Sequence, residues 1–207
     1  AAAAQVVTNA SDAIVIVAVS AKDTIALLGA MSAAGLGAKT FFFTDGSKDA
    51  KLLLDPALPA DVKAIIGAAV GTAPASARDD VTFKQFSASL GAAFPGADPG
   101  QYSFLAHAYD AAYLGAFGVV YATSKAETYD GRDVAEGLAH LEAGTALAVG
   151  AVAWPGAKQT LADKGEIDVL GISGDLTLDS KLGEGPAPIE IWAVKDGTSF
   201  FTVDTIP

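Results

Sequence analysis

Residues able to do chemistry are few in this chain, and their spacing limits what they could do. His107 and His140 are the only histidines and there is no cysteine, which excludes disulfides, thiolate metal sites and cysteine nucleophiles. His107 and Asp110 stand three apart, so a helix would put them on one face, as an oriented base or a metal pair requires. No third ligand accompanies them, and the same spacing serves a hydrogen-bonded, partly buried histidine. His140, among Arg132, Asp133 and Glu136, reads as a surface residue. Asp79 and Asp80 are adjacent acids at a helix start, the ordinary capping arrangement. The run Gly171-Ile172-Ser173-Gly174 approaches the nucleophile elbow G-x-S-x-G, but its second glycine comes one place early. Ser173 and His107 are thus the residues of an alternative, hydrolase-like reading. Neither a G-x-x-x-x-G-K-[ST] loop nor a G-x-G-x-x-G after the first strand is present, so nucleotide binding lacks support. No metal and no cofactor is expected.

Two polar residues stand out for position. Ala13 to Val19 is an uninterrupted apolar run rich in Val and Ile, the pattern of a buried parallel strand. Ser20 follows it, with Asp23 three residues on, which predicts a helix start in which a side-chain oxygen satisfies free N–H groups. From that start, apolar residues recur at helical spacing over Thr24 to Ala34, and Gly35 and Gly37 can end the helix. Lys39 to Thr44, with three consecutive phenylalanines, reads as a second strand closed by the turn signal Asp45-Gly46. In open parallel sheets ligands sit beyond the carboxyl ends of strands, and the two such ends here are Ser20 and Asp45.

The rest of the chain alternates similarly. Ser47 to Asp61 holds one short helix and a loop, and Val62 to Thr72 is a third strand candidate. A helix capped by Asp79 or Asp80 carries Phe83, Phe86 and Leu90, and the Pro95–Gly100 stretch breaks it. A long apolar helix spans about Ser103 to Ser124, and a solvated one runs from Arg132 to Ala143. Ala146 to Ala153 is strand-like and ends at Trp154-Pro155-Gly156. Ile167 to Leu178 alternates, and Ile189 to Val194 with Phe200 to Val203 flank Lys195-Asp196-Gly197, a hairpin signal. Helices alternating with strands, then an antiparallel finish, mean an α/β fold.

Half of the residues, 51%, are apolar, enough to bury the core of one domain or two small ones. A net charge of −11 with only 13 Lys and Arg spread along the chain argues against nucleic acid as a partner. Polar residues interrupt every apolar run short of a membrane span. Ala1 to Ala4 without an initiator Met suggest a processed or truncated start.

In order, G-L-G-A-K-T-F-F-F-T-D-G, I-I-G-A-A-V-G-T-A-P, F-x-x-F, Y-S-F-L-A-H-A-Y-D-A-A-Y, V-L-G-I-S-G-D-L-T-L-D and P-I-E-I-W-A-V resemble the later part of a type I periplasmic solute-binding protein. The nearest group is the one serving branched-chain amino acid and amide ABC importers. The resemblance covers nearly the whole chain, and its Y-D-A and G-x-S-G-x-L-x-L-D pieces are the most specific. It implies an α/β fold with parallel sheets flanked by helices, parts of two lobes and a C-terminal β-hairpin. Residues 1–73 would be part of the second lobe, 74–187 part of the first, and 188–207 the hinge return and hairpin. The implied activity is binding without catalysis: a small polar ligand, such as an amino acid or amide, held between lobes and presented to an ABC permease. A ligand-sensing receptor module of the same fold is a further alternative.

The implied location is periplasmic or extracytoplasmic, with tethering through an upstream lipid anchor as one possibility. An N-terminal half or second chain would supply the family's opening segment. Asp45 occupies the place of the acid that binds a ligand ammonium, and a carboxylate is the right chemistry for it. Ser20 lies where amino acid binders often carry an aromatic, a departure that bears on ligand identity. Phe104 matches a pocket-lining aromatic. Each also has a plainer reading: Asp45 a turn residue, Ser20 a helix cap, Phe104 core. Tyr109 and Asp110 match the motif as hinge and packing residues.

Overall fold

The protein is described by a computed structural model that covers residues 11–76, 80–177, 185 and 188–206. In chain order the elements are β1 (Ala13–Ile16), α1 (Ala21–Ala33), β2 (Thr40–Phe43), α2 (Ala50–Leu53), α3 (Ala60–Ala68), β3 (Val70–Pro74), α4 (Val81–Ala93), α5 (Leu105–Lys125) and α6 (Gly131–Leu138). There follow β4 (Thr145–Ala148), α7 (Trp154–Ala162), β5 (Ile167–Leu170), β6 (Ile189–Lys195) and β7 (Ser199–Ile206), with short 3-10 turns at Asp45–Ser47 and Pro99–Gln101. The chain divides into two compact units, one of residues 1–75, 98–103 and 188–207, the other of 76–97 and 104–187. The fold is α/β, as expected, with a sheet rich in parallel pairs.

The first unit is a five-stranded sheet in the order β1-β2-β3-β6-β7, parallel across β1, β2 and β3 and antiparallel from β3 onward. Alternation decides its two faces, because successive side chains of a strand point to opposite sides. Ile14, Ile16, Phe41 and Phe43 are buried with Leu28 and Met31 of α1 and Val62, Ile65 and Ile66 of α3. Ile16, Phe43, Gly71 and Trp192 are successive partners across four strands of that face. An added Cβ on Gly71 would lie 2.2 Å from Cζ2 of Trp192, so the indole packs directly on glycine backbone. A buried ion pair joins Lys48 to Glu190 of β6, and Thr202 of β7 donates to the same carboxylate at 2.8 Å. Residues 98–103 are held in this unit by Gln101, whose amide exchanges hydrogen bonds with Phe200, and by Ser103.

The second unit carries β4 and β5 as a parallel pair, with α4, α5, α6 and α7. Its core joins Phe83, Phe117, Leu161, Ile167, Val169 and Ile172, and an aromatic series runs from Phe86 through Tyr109 and Tyr113 to Trp154. Asp110 of α5 is 1% exposed and accepts from the backbone N–H of Ile172 (3.0 Å) and Ser173 (2.8 Å) and from the Ser173 hydroxyl (2.6 Å). One buried carboxylate thereby fixes the loop after β5 to the long helix.

Several expected elements shift. The strand expected over Val62 to Thr72 is helix α3 followed by β3. Val62, Ile65 and Ile66 recur at helical spacing and face the core, and the extended stretch starts only at Val70. Helix α1 begins at Ala21 with Ser20 as its cap, where the sequence places the start. Strand β1 stops at Ile16 and buries only one face; Val15, Val17 and Val19 are 64%, 79% and 95% exposed. Strand β4 is shorter than expected, and Trp154-Pro155 opens helix α7, since a proline in the first turn forfeits no hydrogen bond. Helix α6 ends at Leu138, and the alternating stretch after Ile167 is strand only to Leu170. Asp80 caps α4, while Asp79, Leu178 and Ala1 to Ala4 lie outside the described residues.

Replacing Gly71 with Ala is expected to destabilise the protein by about 1–3 kcal/mol through overpacking against Trp192, read as a lower denaturant midpoint. Lys48→Met leaves Glu190 buried without its cation and is expected to cost about 3–5 kcal/mol. Asp110→Asn, which replaces one acceptor oxygen with an amide donor facing the N–H groups of residues 172 and 173, should cost about 1–3 kcal/mol.

Candidate functional site

The carboxyl ends of β1 and β2 lie against each other. A Cβ on Gly46 would sit 2.1 Å from the carbonyl oxygen of Ala18 and 2.9 Å from the carbonyl carbon of Val19, so the turn after β2 touches the loop after β1 through bare backbone. Beneath this contact the Thr24 and Ser47 hydroxyls, both fully buried, hydrogen-bond at 2.8 Å, and Thr24 also donates to the Ser20 carbonyl at 3.3 Å. These bonds tie the first turn of α1 to the turn that carries Asp45. The structure thus brings Ser20 and Asp45 to neighbouring loops at one end of the sheet.

Their side chains stand differently. Ser20 is the N-cap of α1: its Oγ accepts from the Asp23 N–H at 3.3 Å and donates to the Asp23 carboxylate at 2.7 Å. Asp45 opens the 3-10 turn, and its carbonyl accepts from the Ser103 hydroxyl at 2.8 Å and the Lys48 N–H at 3.0 Å. Its half-buried carboxylate has no hydrogen-bond or ion-pair partner among the described residues. The backbone of Asp45 is therefore fixed while its charge is available.

Phe104 belongs to the second unit, at the N-cap of α5. It adopts a left-handed backbone, φ 63°, and is 45% exposed, with its ring edge-on to His107 at 6.0 Å. An aromatic residue in that region is uncommon, and the exposed ring is not core. His107 is half-buried; burial holds its imidazole below the ordinary range, with Asp110 acting in the opposite direction. Its Nδ1 has no hydrogen-bond partner among the described residues. Asp110 is committed to the β5 loop and Ser173 donates to it, so the hydroxyl's proton goes to a carboxylate rather than to a histidine. Among the described residues no group of three His, Asp or Glu is placed to hold a metal.

The second unit also has a groove of about 570 Å³ between α4 and the loop after β4, lined by Phe86, Leu90, Tyr109, Val149, Gly150 and Val152. It lies within that unit alone and includes none of the three candidate residues. Burial, then the Tyr113 hydroxyl 3.5 Å away, push the Tyr109 phenol up to about 12, so it stays a neutral hydroxyl. Sequence reasoning missed Thr24, Ser47 and the reason for Gly46; the Asp-Gly pair marked the turn but not the close approach.

No family model matches the sequence, and no curated protein matches it. Solved structures do. A leucine-binding protein from Thermotoga maritima superposes with a TM-score of 0.67 at 15% identity, over 99% of this chain and 47% of that one. A type 1 periplasmic binding protein from Bordetella pertussis gives 0.64 at 14% identity, over 97% and 48%. A fatty acid ABC transporter substrate-binding protein from Thermomonospora curvata gives 0.63 at 13%, over 100% and 46%. The chain thus spans about half the length of the structures it matches. At identities of 13–15% the likeness establishes the fold: the chain is built as type I periplasmic binding proteins are, over roughly half of their length.

Proposed function

We propose that the chain is a solute-binding component of an ABC importer, working outside the cytoplasm on a small polar ligand such as an amino acid or amide. The observation that supports this best is the superposition on substrate-binding proteins along 99% of the chain. In this reading the first unit is part of the second lobe and the other unit part of the first. Asp45 takes the ligand's ammonium, since an unpaired carboxylate on a fixed backbone is a strong acceptor for a partly desolvated cation. Ser20 offers a hydroxyl at the positive end of α1, and Phe104 an exposed aromatic face. The partners are then the ligand and a membrane permease. No described helix is long and apolar enough to cross a membrane.

Thermal unfolding in the presence of a panel of amino acids and their amides tests this. A cognate ligand at one hundred times its Kd should stabilise by about 2.7 kcal/mol, a rise of about 5–10 °C for a chain of this size. No member of the panel raising the midpoint would refute the reading. Asp45→Asn should weaken that ligand by roughly ten- to a hundredfold, about 1.5–3 kcal/mol, with the unliganded midpoint unchanged. Gly46→Ala should weaken it as well, because the added methyl must push the Asp45 turn away from the β1 loop; calorimetric titration of both variants reads the effect.

A further inference from the structure

The groove between α4 and the loop after β4 takes no part in the reading above, yet it has the dimensions of a small-molecule site. Its volume is about 570 Å³, and such sites run from about 300 to 1,000 Å³. Helix α4 contributes Phe86 and Leu90, with Phe94 just past its end, and the loop contributes Val149 to Ala153. Phe94 and Val152 are 64% and 99% exposed, so large apolar side chains from two elements border one opening. In a chain of net charge −11, no Asp, Glu, Lys, Arg or His lines this groove among the described residues. Tyr109, the one ionisable side chain there, stays a neutral hydroxyl at ordinary pH. Nothing in the groove would offset the cost of taking a charge out of water.

Its polar groups meet at one corner. A Cβ on Gly150 would lie 3.9 Å from the Tyr109 hydroxyl, so loop backbone and phenol are neighbours. Among the described residues that hydroxyl has one bond, a long one of 3.5 Å to Tyr113. The backbone N–H groups of Gly150, Ala151 and Val152 have no partner among the described residues. Together they offer an entering oxygen several donors. Beside them the Phe86 and Tyr109 rings lie 4.7 Å apart at 52°, within the spacing at which aromatic rings attract one another. We infer that the groove is a second binding site, for an uncharged aromatic molecule whose hydroxyl or carbonyl oxygen is held at Tyr109 and Gly150 while its rings lie along Phe86 and Leu90. The inference is independent of the ligand reading at Asp45: the groove belongs to the second unit alone, and a zwitterionic amino acid would find no countercharge in it.

The test is a titration of the isotopically labelled full chain with p-phenylbenzyl alcohol, followed by amide NMR. Two charged analogues, p-phenylbenzoate and p-phenylbenzylammonium, keep the rings and replace the neutral head. Support is a set of saturable shifts at Leu90, Gly150 and Val152 with the alcohol, and binding at least tenfold weaker for each ion. Ser89→Trp, a change at an exposed position of α4 that lines the groove, fills the space and should weaken the alcohol at least tenfold. That variant should unfold within about 2 °C of the parent, as surface changes usually do. Tyr109→Phe removes one hydrogen bond and should weaken the alcohol by about three- to tenfold. No saturable shift with the alcohol, equal binding of either ion, shifts confined to residues outside the groove, or unchanged binding by either variant would overturn the proposal.

Discussion

The arrangement at the sheet's carboxyl end depends on two loops meeting without a side chain between them. Gly46 lies against Ala18 and Val19 so closely that a single methyl would collide with a carbonyl. That contact makes neighbours of two loops that belong to different strands. The buried hydroxyl pair of Thr24 and Ser47 keeps it from sliding, because a fully buried hydroxyl that loses its partner has no water to turn to. The Lys48–Glu190 ion pair and the Ser103 bond to the Asp45 carbonyl anchor the same turn to β6 and to residues 98–103. Four separate restraints therefore converge on a turn whose one unpaired charge is the Asp45 carboxylate.

Much of this was legible in the chain. Strand, helix and strand from Ala13 to Phe43 followed from apolar runs and from the Ser20 cap, and Asp45-Gly46 was placed at a turn beyond a strand end. The closing hairpin came from Lys195-Asp196-Gly197, where Asp196 and Gly197 both take positive φ. What was not legible involves distance through space. Gly46 looks like any turn glycine until the β1 loop is seen against it. Val62 to Thr72 is apolar enough for a strand, and only the tertiary burial of Val62, Ile65 and Ile66 at helical spacing makes most of it a helix. Trp154-Pro155 reads as an end and is a beginning, since proline suits either.

The two units share one device, a buried carboxylate that organises a loop. Glu190 receives Lys48 and Thr202, and Asp110 receives three donors from Ile172 and Ser173. Both acids are buried with their partners in place, which separates them from Asp45, half-buried and unpaired. Glu142 and Asp168 of the second unit are likewise half-buried acids without a side-chain partner among the described residues, and what sets Asp45 apart from them is its place beyond the end of β2, against the loop after β1. Phe104 has the same character among the aromatics: the ring is exposed and its backbone is held in a left-handed conformation that aromatic residues seldom adopt.

The central claim, that ligand is taken at the carboxyl end of the first unit's sheet, is tested most directly by amide NMR of the isotopically labelled protein during titration with aliphatic amino acids and their amides. Binding at this end of the sheet gives saturable shifts of the Ser20, Asp45 and Gly46 signals that disappear in Asp45→Asn. Saturable shifts confined to the groove lined by Phe86 and Tyr109, or shifts near Gly46 that persist unchanged in Asp45→Asn, would contradict it.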